Sequence, residues 1–170
     1  MTQKARTART LPNLPQRLAL MPGWSTNIVI NTPPSLVWEQ VTKFEAYSEW
    51  NPFILKALAQ FEVGKKIQFL EDLKQFGQHW ITAEFLEIDP PQSFVWQGYF
   101  ATPYLFTVRH YFKFTALGER QTRFEQIHQN SGLLIPFLAL RGIYCVSHQG
   151  YLDFDRSLKL RCENLQELPC

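Results

Sequence analysis

The sequence predicts an α+β fold in which a curved, seven-stranded antiparallel sheet wraps around a long C-terminal helix. Three features of the 170-residue chain carry this prediction. A short strand and two short helices open it between residues 27 and 50. Strand-like segments separated by turns with Gly or Pro follow up to residue 130. A stripe of apolar residues with helical spacing then runs from about residue 136 to residue 168.

The opening segment reads as a strand over residues 27–30 followed by an amphipathic helix. Val37, Val41 and Phe44 recur at spacings of four and three, which places them on one helical face. A second short helix follows and ends before Pro52, because the residue preceding a proline is disfavoured in helical conformation.

Six further strands are predicted from alternating or apolar segments and from the turns between them. A sheet cannot bury its apolar face alone, so it must curve around the long helix. The six strands are residues 53–60, 66–70, 80–88, 93–100, 104–115 and 121–130.

The C-terminal segment, residues 136–168, is predicted to be one amphipathic helix. Gly142 and Gly150 interrupt it, and they either permit a bend, mark a close approach to another surface or only loosen the helix. Charged or polar residues flank or oppose the apolar stripe, namely Arg141, His148, Asp155, Lys159 and Glu163. The stripe itself consists of Phe137, Leu140, Tyr144, Ser147, Tyr151, Phe154, Leu158, Cys162 and Leu165.

Composition limits the classes of function. The chain is long enough for one domain with a sizeable core, and its net charge of +2 gives no strong field for nucleic acid. Fourteen Phe, six Tyr and five Trp suit either a heavy core or a pocket lined with rings. Three cysteines without metal-ligand spacing are expected to be reduced thiols of a cytoplasmic protein. No metal site and no cofactor are expected.

Residues 1–23 are expected to form a flexible basic arm ahead of a domain that covers residues 24–168. The arm contains Lys4, Arg6, Arg9 and Arg17, and no acid precedes Glu39. This composition also resembles an organelle transit peptide, so organelle targeting stays open as an alternative. No apolar run is long enough for a transmembrane segment.

Short motifs in order along the chain resemble the polyketide cyclase/dehydrase-like proteins of the START-related (helix-grip, SRPBCC) superfamily. The resemblance covers about residues 24–168 and implies the seven-stranded grip around the last helix. It also implies binding of apolar small molecules, with catalysis in only some members. The matching positions are residues 33–34, 37–38, 44, 47, 50–52, 89–91, 96–98, 110–112, 132–134 and 158–159.

Alternation on two neighbouring strands predicts a mixed polar and aromatic site. On residues 104–115 the inward set is apolar except for His110, and on residues 121–130 the set that includes Phe124 also carries Gln126, His128 and Asn130. A one-residue slip would instead turn Glu125 and Ile127 inward. The candidate ligand-binding residues are Trp96, Tyr104, Phe106, His110, Phe112, Gln126, His128, Asn130, Tyr144 and Tyr151.

Three functions fit these residues. The first is binding, or transport, of a hydrophobic or amphipathic small molecule between the sheet and the last helix. The second is a cyclase or dehydratase acting on a polyketide- or isoprenoid-like substrate, with His110 or His128 as the general base. The third is a protein-interaction module whose core is filled by its own side chains. His128 stands near a place where the resembling family often has an acid, which argues against a shared reaction. The sequence predicts no oligomeric state.

Overall fold

The computed structural model describes residues 23–167. Four helices and seven strands make up this part of the chain, with single 3₁₀ turns at Phe44–Ala46 and Lys74–Phe76. None of these helices is long and apolar enough to cross a membrane. In chain order the elements are β1 Gly23–Ile30, α1 Pro34–Thr42, α2 Tyr47–Trp50, β2 Ile54–Ala59, β3 Lys66–Asp72, β4 Gln78–Asp89, β5 Ser93–Phe100, β6 Phe106–Gly118, β7 Gln121–Ser131, α3 Ile135–Leu140 and α4 Ile143–Glu167.

The seven strands form one sheet in the order β1-β7-β6-β5-β4-β3-β2, and every neighbouring pair is antiparallel. Its register shifts between Phe85 and Glu87 on β4 and between Ala116 and Gly118 on β6. Such irregularities increase local twist and bend a sheet. The predicted α+β fold, with two short helices after the first strand and a long C-terminal helix, is confirmed.

Helix α4 covers the concave side of this sheet, which we call the inner face. Tyr151, Phe154, Leu158 and Cys162 are fully buried along one side of the helix. The ring of Phe154 stacks against that of Phe124 on β7, with 6.2 Å between centroids. The predicted helical stripe therefore packs into the sheet from Ser147, which is also buried, to Cys162, whereas Leu165 at the end of the predicted stripe is exposed.

The first part of the predicted stripe, residues 137–140, does not pack into the sheet. The expected single helix over residues 136–168 is wrong, because the chain divides into α3 and α4 at Gly142, whose φ of +74° is unfavourable for other residues. Phe137 and Leu140 on α3 are exposed rather than buried. Gly142 therefore breaks the helix, an outcome that was not among the three alternatives for that glycine.

Strand β6 begins two residues later than predicted. Tyr104 lies in the connection from β5, where Ala101 adopts a φ of +58° and the Leu105 amide donates to the Thr102 carbonyl over 3.1 Å. Its side chain is 82% exposed, so its predicted place on the inner face is wrong. Residues 104 and 105, which the alternating pattern placed in the strand, therefore belong to the turn that follows Pro103.

One end of the interior is filled by aromatic rings. Trp38 on α1 contacts Phe61, Phe94 and Phe114, with ring centroids 5.2–5.8 Å apart. Phe44 joins the same cluster through Phe61, with 5.5 Å between centroids. Edge-to-face pairs of this kind stabilise beyond the apolar area they bury. This cluster, Trp38, Phe44, Phe61, Phe94 and Phe114, is the aromatic end of the interior.

Gly150 marks a close approach between α4 and the rest of the core. A Cβ atom at Gly150 would lie 2.2 Å from Cδ2 of the buried Phe53 ring. We expect Gly150→Ala to lower the free energy of unfolding by about 1–3 kcal/mol, the usual cost of overpacking, although alanine favours helix. Urea denaturation measures the change.

Gly118→Ala is the matched control, because a Cβ atom there meets nothing within 4 Å. It should change stability by less than about 0.5 kcal/mol. A Gly150→Ala protein as stable as the wild type, or more so through the gain of about 1 kcal/mol in helix propensity, would contradict the close approach.

Candidate functional site

The inner face of β7 is polar over most of its length. Thr122, Phe124, Gln126, His128 and Asn130 are all buried, whereas the alternate residues between them are half-buried or exposed. The predicted orientation of this strand is confirmed, and the alternative with Glu125 and Ile127 inside is excluded. His128 lies directly opposite His110 of β6 in the antiparallel register.

A chain of hydrogen bonds joins the two strands to α4. His110 Nε2 lies 3.1 Å from Gln126 Oε1, and Gln126 Nε2 donates to Asp155 Oδ1 over 2.6 Å. All three side chains are buried. The chain therefore connects β6, β7 and α4 through the middle of the protein.

The direction of this chain determines where the proton of His110 sits. A carboxylate oxygen only accepts, so Gln126 turns its amide nitrogen to Asp155 and its carbonyl oxygen to His110. The carbonyl oxygen also only accepts, so His110 donates from Nε2. A neutral His110 consequently carries a lone pair at Nδ1, and that atom has no hydrogen-bond partner within residues 23–167.

Burial keeps both histidines neutral. It lowers the pKa of His128 from 6.5 to about 3. It also lowers the pKa of His110 well below its ordinary value, with a further decrease from His128 and a partial offset from the hydrogen bond to Gln126. Their rings stack at 5.1 Å between centroids, which two imidazolium cations would oppose.

Trp24 at the start of β1 adds a further ring to this region. Its indole meets His128 edge-on at 4.4 Å between centroids and Tyr151 at 4.7 Å. His148 of α4 stacks on the other side at 5.4 Å. The indole Nε1, a donor only, is buried without a partner in the described part of the chain.

Eleven buried side-chain polar atoms lack hydrogen-bond partners among the described residues, and seven of them belong to residues at one end of the sheet. Both ring nitrogens of His128 and both amide atoms of Asn130 are in this state, as is the hydroxyl of Tyr144 on α4. Such atoms are uncommon in folded proteins and call for a reason. Together with His110 and Trp24, these residues form what we call the polar end of the interior.

A second buried acid lies on the inner face of strand β3, towards the opposite edge of the sheet. Glu71 on β3 is buried, and its Oε1 accepts a 3.0 Å hydrogen bond from the Tyr151 hydroxyl. Burial raises the pKa of Glu71 from 4.5 to about 7, against the opposing effect of that bond. Burial likewise raises the pKa of Asp155 to about 6, although the nearby Thr26 hydroxyl, Gln126 and Arg156 lower it in part. Both acids can therefore change protonation near neutral pH.

The structure gathers most of the sequence-predicted residues around these groups. Trp96 and Phe112 are buried beside His110, at 5.0 and 4.3 Å between ring centroids, and Phe106 is half-buried at the start of β6. Tyr151 is fully buried at 4.7 Å from His110. Tyr104 alone among the predicted set stands outside, in the exposed connection.

Sequence reasoning missed Trp24, Glu71 and Asp155. Glu71 continues the alternation of Ile67 and Phe69, which are both buried, so the pattern of β3 carried the information. Asp155 had been placed beside the apolar stripe, but it lies four residues after Tyr151 and shares its buried side. Trp24 falls on the same strand face as the buried Thr26 and Ile30.

Potential metal ligands and cysteines occur within the described residues. No three or more His, Cys, Asp or Glu side chains between residues 23 and 167 are arranged to hold a metal ion. Cys145 is exposed and Cys162 is buried, and both are free thiols. Cys170 and residues 1–22, which include most of the predicted basic arm, lie outside the described residues.

The topology agrees with a family comparison. The family model described as "Polyketide cyclase / dehydrase and lipid transport" matches residues 21–132, about two thirds of the chain. The chain belongs to this family. The resemblance predicted from the motifs is thereby confirmed. Comparison with curated proteins finds no match.

Solved structures show the same fold at low sequence identity. The Zhui aromatase/cyclase from Streptomyces sp. R1128 is 15% identical, with a TM-score of 0.70 over 84% of this chain and 94% of that chain. A START superfamily protein from Mycobacterium smegmatis is 16% identical, with a TM-score of 0.65 over 84% and 98%. A hypothetical protein from Helicobacter pylori is 14% identical, with a TM-score of 0.70 over 93% and 99%. These similarities establish the fold of this polyketide cyclase/dehydrase family member.

The raised pKa of Glu71 has a consequence for stability. Between pH 4.5 and about 7 the folded protein holds more protons on this group than the unfolded chain, so its contribution to stability falls as pH rises. Glu71→Gln keeps an oxygen that accepts from Tyr151 and cannot ionise. We therefore compare the free energy of unfolding of Glu71→Gln with that of the wild type at each pH. This difference should shift in favour of the variant by roughly 2–3 kcal/mol between about pH 4 and about pH 8.

Urea denaturation at a series of pH values measures this difference. Glu84→Gln is the matched control, because Glu84 is exposed on β4 and its replacement should give a difference that is constant with pH to within about 0.5 kcal/mol. A flat difference for Glu71→Gln as well would mean that Glu71 ionises in the folded protein as freely as in water.

Proposed function

We propose that this protein binds an uncharged, oxygen-bearing hydrophobic small molecule between the inner face of the sheet and α4. One observation carries the proposal: the buried side chains of His128 and Asn130 have four polar atoms with no partner in residues 23–167. The predicted ligand-binding residues other than Tyr104 are part of this proposal.

Leaving these atoms unpaired is costly. A buried polar group without a hydrogen bond costs about 1–3 kcal/mol, so a plain structural core would place apolar residues at these positions. A ligand with hydroxyl or carbonyl groups can donate to one atom and accept from the next. Neutral His128 and the Asn130 amide each offer one kind of donor and one kind of acceptor, which suits such a ligand.

The electrostatics favour a neutral ligand. The buried polar or charged residues of the described part include no Lys or Arg, and both inner histidines are neutral at physiological pH. A carboxylate or phosphate would therefore lose its hydration without gaining a counter-charge, which is strongly unfavourable. A ketone or a phenolic hydroxyl suffers no such loss.

The neighbouring rings suit a flat, ring-containing ligand body. Phe94, Phe112 and His110 stack successively at 4.3 Å between centroids and nearly parallel. His128 continues this row onto β7. Apolar surroundings with a few convergent polar groups are the usual make-up of a small-molecule site.

The family comparison is consistent with this proposal. The matching family is described by cyclase and dehydrase activity together with lipid transport, and one structural relative is named as an aromatase/cyclase. Polyketides and isoprenoids are hydrophobic molecules with keto or hydroxyl groups, which is the chemistry that the polar end selects. Transport of such a molecule is the corresponding physiological role.

The charge preference is tested with three naphthalene probes at neutral pH, and the binding of each is measured by the quenching of tryptophan fluorescence. We expect 2-naphthol, which is neutral, to bind at least about tenfold more tightly than anionic 2-naphthoate or cationic 1-naphthylmethylamine. The tightest binding by the anion would contradict the proposal. The tightest binding by the cation would move the recognition site to Glu71 and Asp155.

A pair of variants separates ligand contacts from core structure. Asn130→Leu should weaken 2-naphthol binding by about tenfold without lowering stability, because the amide is unpartnered in the described chain. Gln126→Leu should lower the free energy of unfolding by roughly 1–3 kcal/mol, because it leaves His110 and Asp155 unpaired. If Asn130→Leu lost stability and kept its affinity for 2-naphthol, Asn130 would be an ordinary core residue.

A second candidate function is proton-transfer catalysis, and the Glu71–Tyr151 pair is the observation that favours it. A general base works best when its pKa lies near the working pH, and the pKa of Glu71 is about 7. The very low pKa values of His110 and His128 make them weak bases, although each has a free lone pair. Cyclisation and dehydration both begin with removal of a proton beside a carbonyl.

Hydrogen–deuterium exchange at the α-carbon of 2-tetralone tests this candidate by NMR. In the step, a base takes the α-proton, the C–H electron pair forms the C=C bond of an enolate, and the C=O π pair moves to oxygen. The enolate carbon then takes a deuteron from the solvent and the ketone re-forms. We expect the full-length protein to accelerate exchange with a rate that rises as pH increases through about 7, and Glu71→Gln to lose most of that acceleration. Exchange unaffected by Glu71→Gln, or no faster than with serum albumin, would remove this function.

A further inference from the structure

We infer that one end of this protein docks on the surface of a lipid bilayer. Six large apolar side chains are exposed there, and we call this surface the apolar tip. The exposed fraction reaches 65% at Phe100 and 87% at Leu140. Soluble proteins seldom expose apolar residues of this size in one region without a partner. The apolar tip consists of Tyr99, Phe100, Tyr104, Leu133, Phe137 and Leu140.

Backbone contacts hold the apolar tip in place, although its two segments are distant in sequence. The amides of Leu133 and Leu134 donate to the carbonyls of Tyr104 and Leu105, each over 3.0 Å. Gly132 has a φ of +121°, and a Cβ atom there would lie 2.5 Å from the Leu105 carbonyl oxygen. Only glycine therefore lets the connection after β7 pack against the connection before β6.

The charge around the apolar tip suits a membrane with anionic lipids. Residues 90–118 and 126–152, which supply the tip, contain no Asp or Glu. The guanidinium of Arg141 lies 5.7 Å from the centre of the Phe137 ring, at the edge of the tip. Arg beside exposed Tyr, Phe and Leu is the composition of segments that insert at the headgroup level. The absence of acids removes repulsion from anionic headgroups.

The shape of the surface favours a bilayer over a second copy of the chain. The exposed residues occur at the last two positions of β5, in the connection from β5 to β6, in the turn after β7 and on the six-residue helix α3, so they lie at one end of the molecule. A loop end can enter the headgroup region without a matching groove. Its docking does not depend on the proposed small-molecule ligand, so the two proposals stand or fall separately.

Co-sedimentation of the full-length protein with vesicles tests the inference. We expect partition onto vesicles of phosphatidylcholine with about one quarter phosphatidylglycerol, and weaker partition onto phosphatidylcholine alone. The double variant Phe100→Ser/Leu140→Ser should lower the partition coefficient at least about tenfold. Both side chains are exposed, so the fold is unaffected. Arg141→Gln should weaken binding to the anionic vesicles alone.

Leu58→Ser/Leu160→Ser is the matched control, because both side chains are exposed on β2 and α4, outside the apolar tip. It should partition like the wild type. The inference would be overturned if the wild type did not bind the vesicles. It would also be overturned if both double variants bound them equally well, whether as strongly as the wild type or more weakly. If the wild type did not bind vesicles but formed a dimer in sedimentation equilibrium, and only Phe100→Ser/Leu140→Ser made that dimer dissociate, the tip would be an interface with a second copy instead.

Discussion

The contact between α4 and the inner face of the sheet is the constraint on which the rest of this structure depends. A curved sheet with one apolar face is unstable alone, and α4 supplies the cover through Tyr151, Phe154 and Leu158. Gly150 allows the helix to approach Phe53 closely. Because this cover excludes water, polar groups on the inner face lose their hydration, and the titratable ones shift their pKa towards the neutral form. The neutral histidines and the raised pKa values of Glu71 and Asp155 follow from that one contact.

The same contact divides the interior by polarity. At the aromatic end, rings from α1, β5 and β6 meet one another, whereas the polar end holds neutral donors and acceptors between two buried acids. The Gln126 amide orients His110, and the Tyr151 hydroxyl is held by Glu71. An elongated molecule with a hydrocarbon or aromatic body and one oxygen-bearing end matches this gradient. The apolar tip lies outside the polar end, since Asn130 is only two residues from Gly132.

The sequence predicted those parts of the molecule that depend on periodicity. Alternation identified the inner faces of β6 and β7 and hence His110, Gln126, His128 and Asn130, because a strand turns successive side chains to opposite faces. It did not show where a strand begins, so Tyr104 was placed inside although a turn holds it outside. The helical stripe identified Tyr151 and Phe154 but not the break at Gly142, which depends on a left-handed backbone. Glu71 and Asp155 were missed because periodicity expects apolar residues at buried positions, and a buried acid needs a partner that only the tertiary structure provides.

The central claim is that two neutral histidines of the inner face take part in ligand recognition. Nitrogen-15 NMR of the four histidine rings tests it most directly, because the chain contains only His79, His110, His128 and His148. At neutral pH we predict neutral rings for His110 and His128, with His110 protonated at Nε2. Saturating 2-naphthol should shift the ring nitrogens of both and leave the exposed His79 unchanged. Inner histidines that are protonated at neutral pH, or that do not respond to 2-naphthol, would contradict the account.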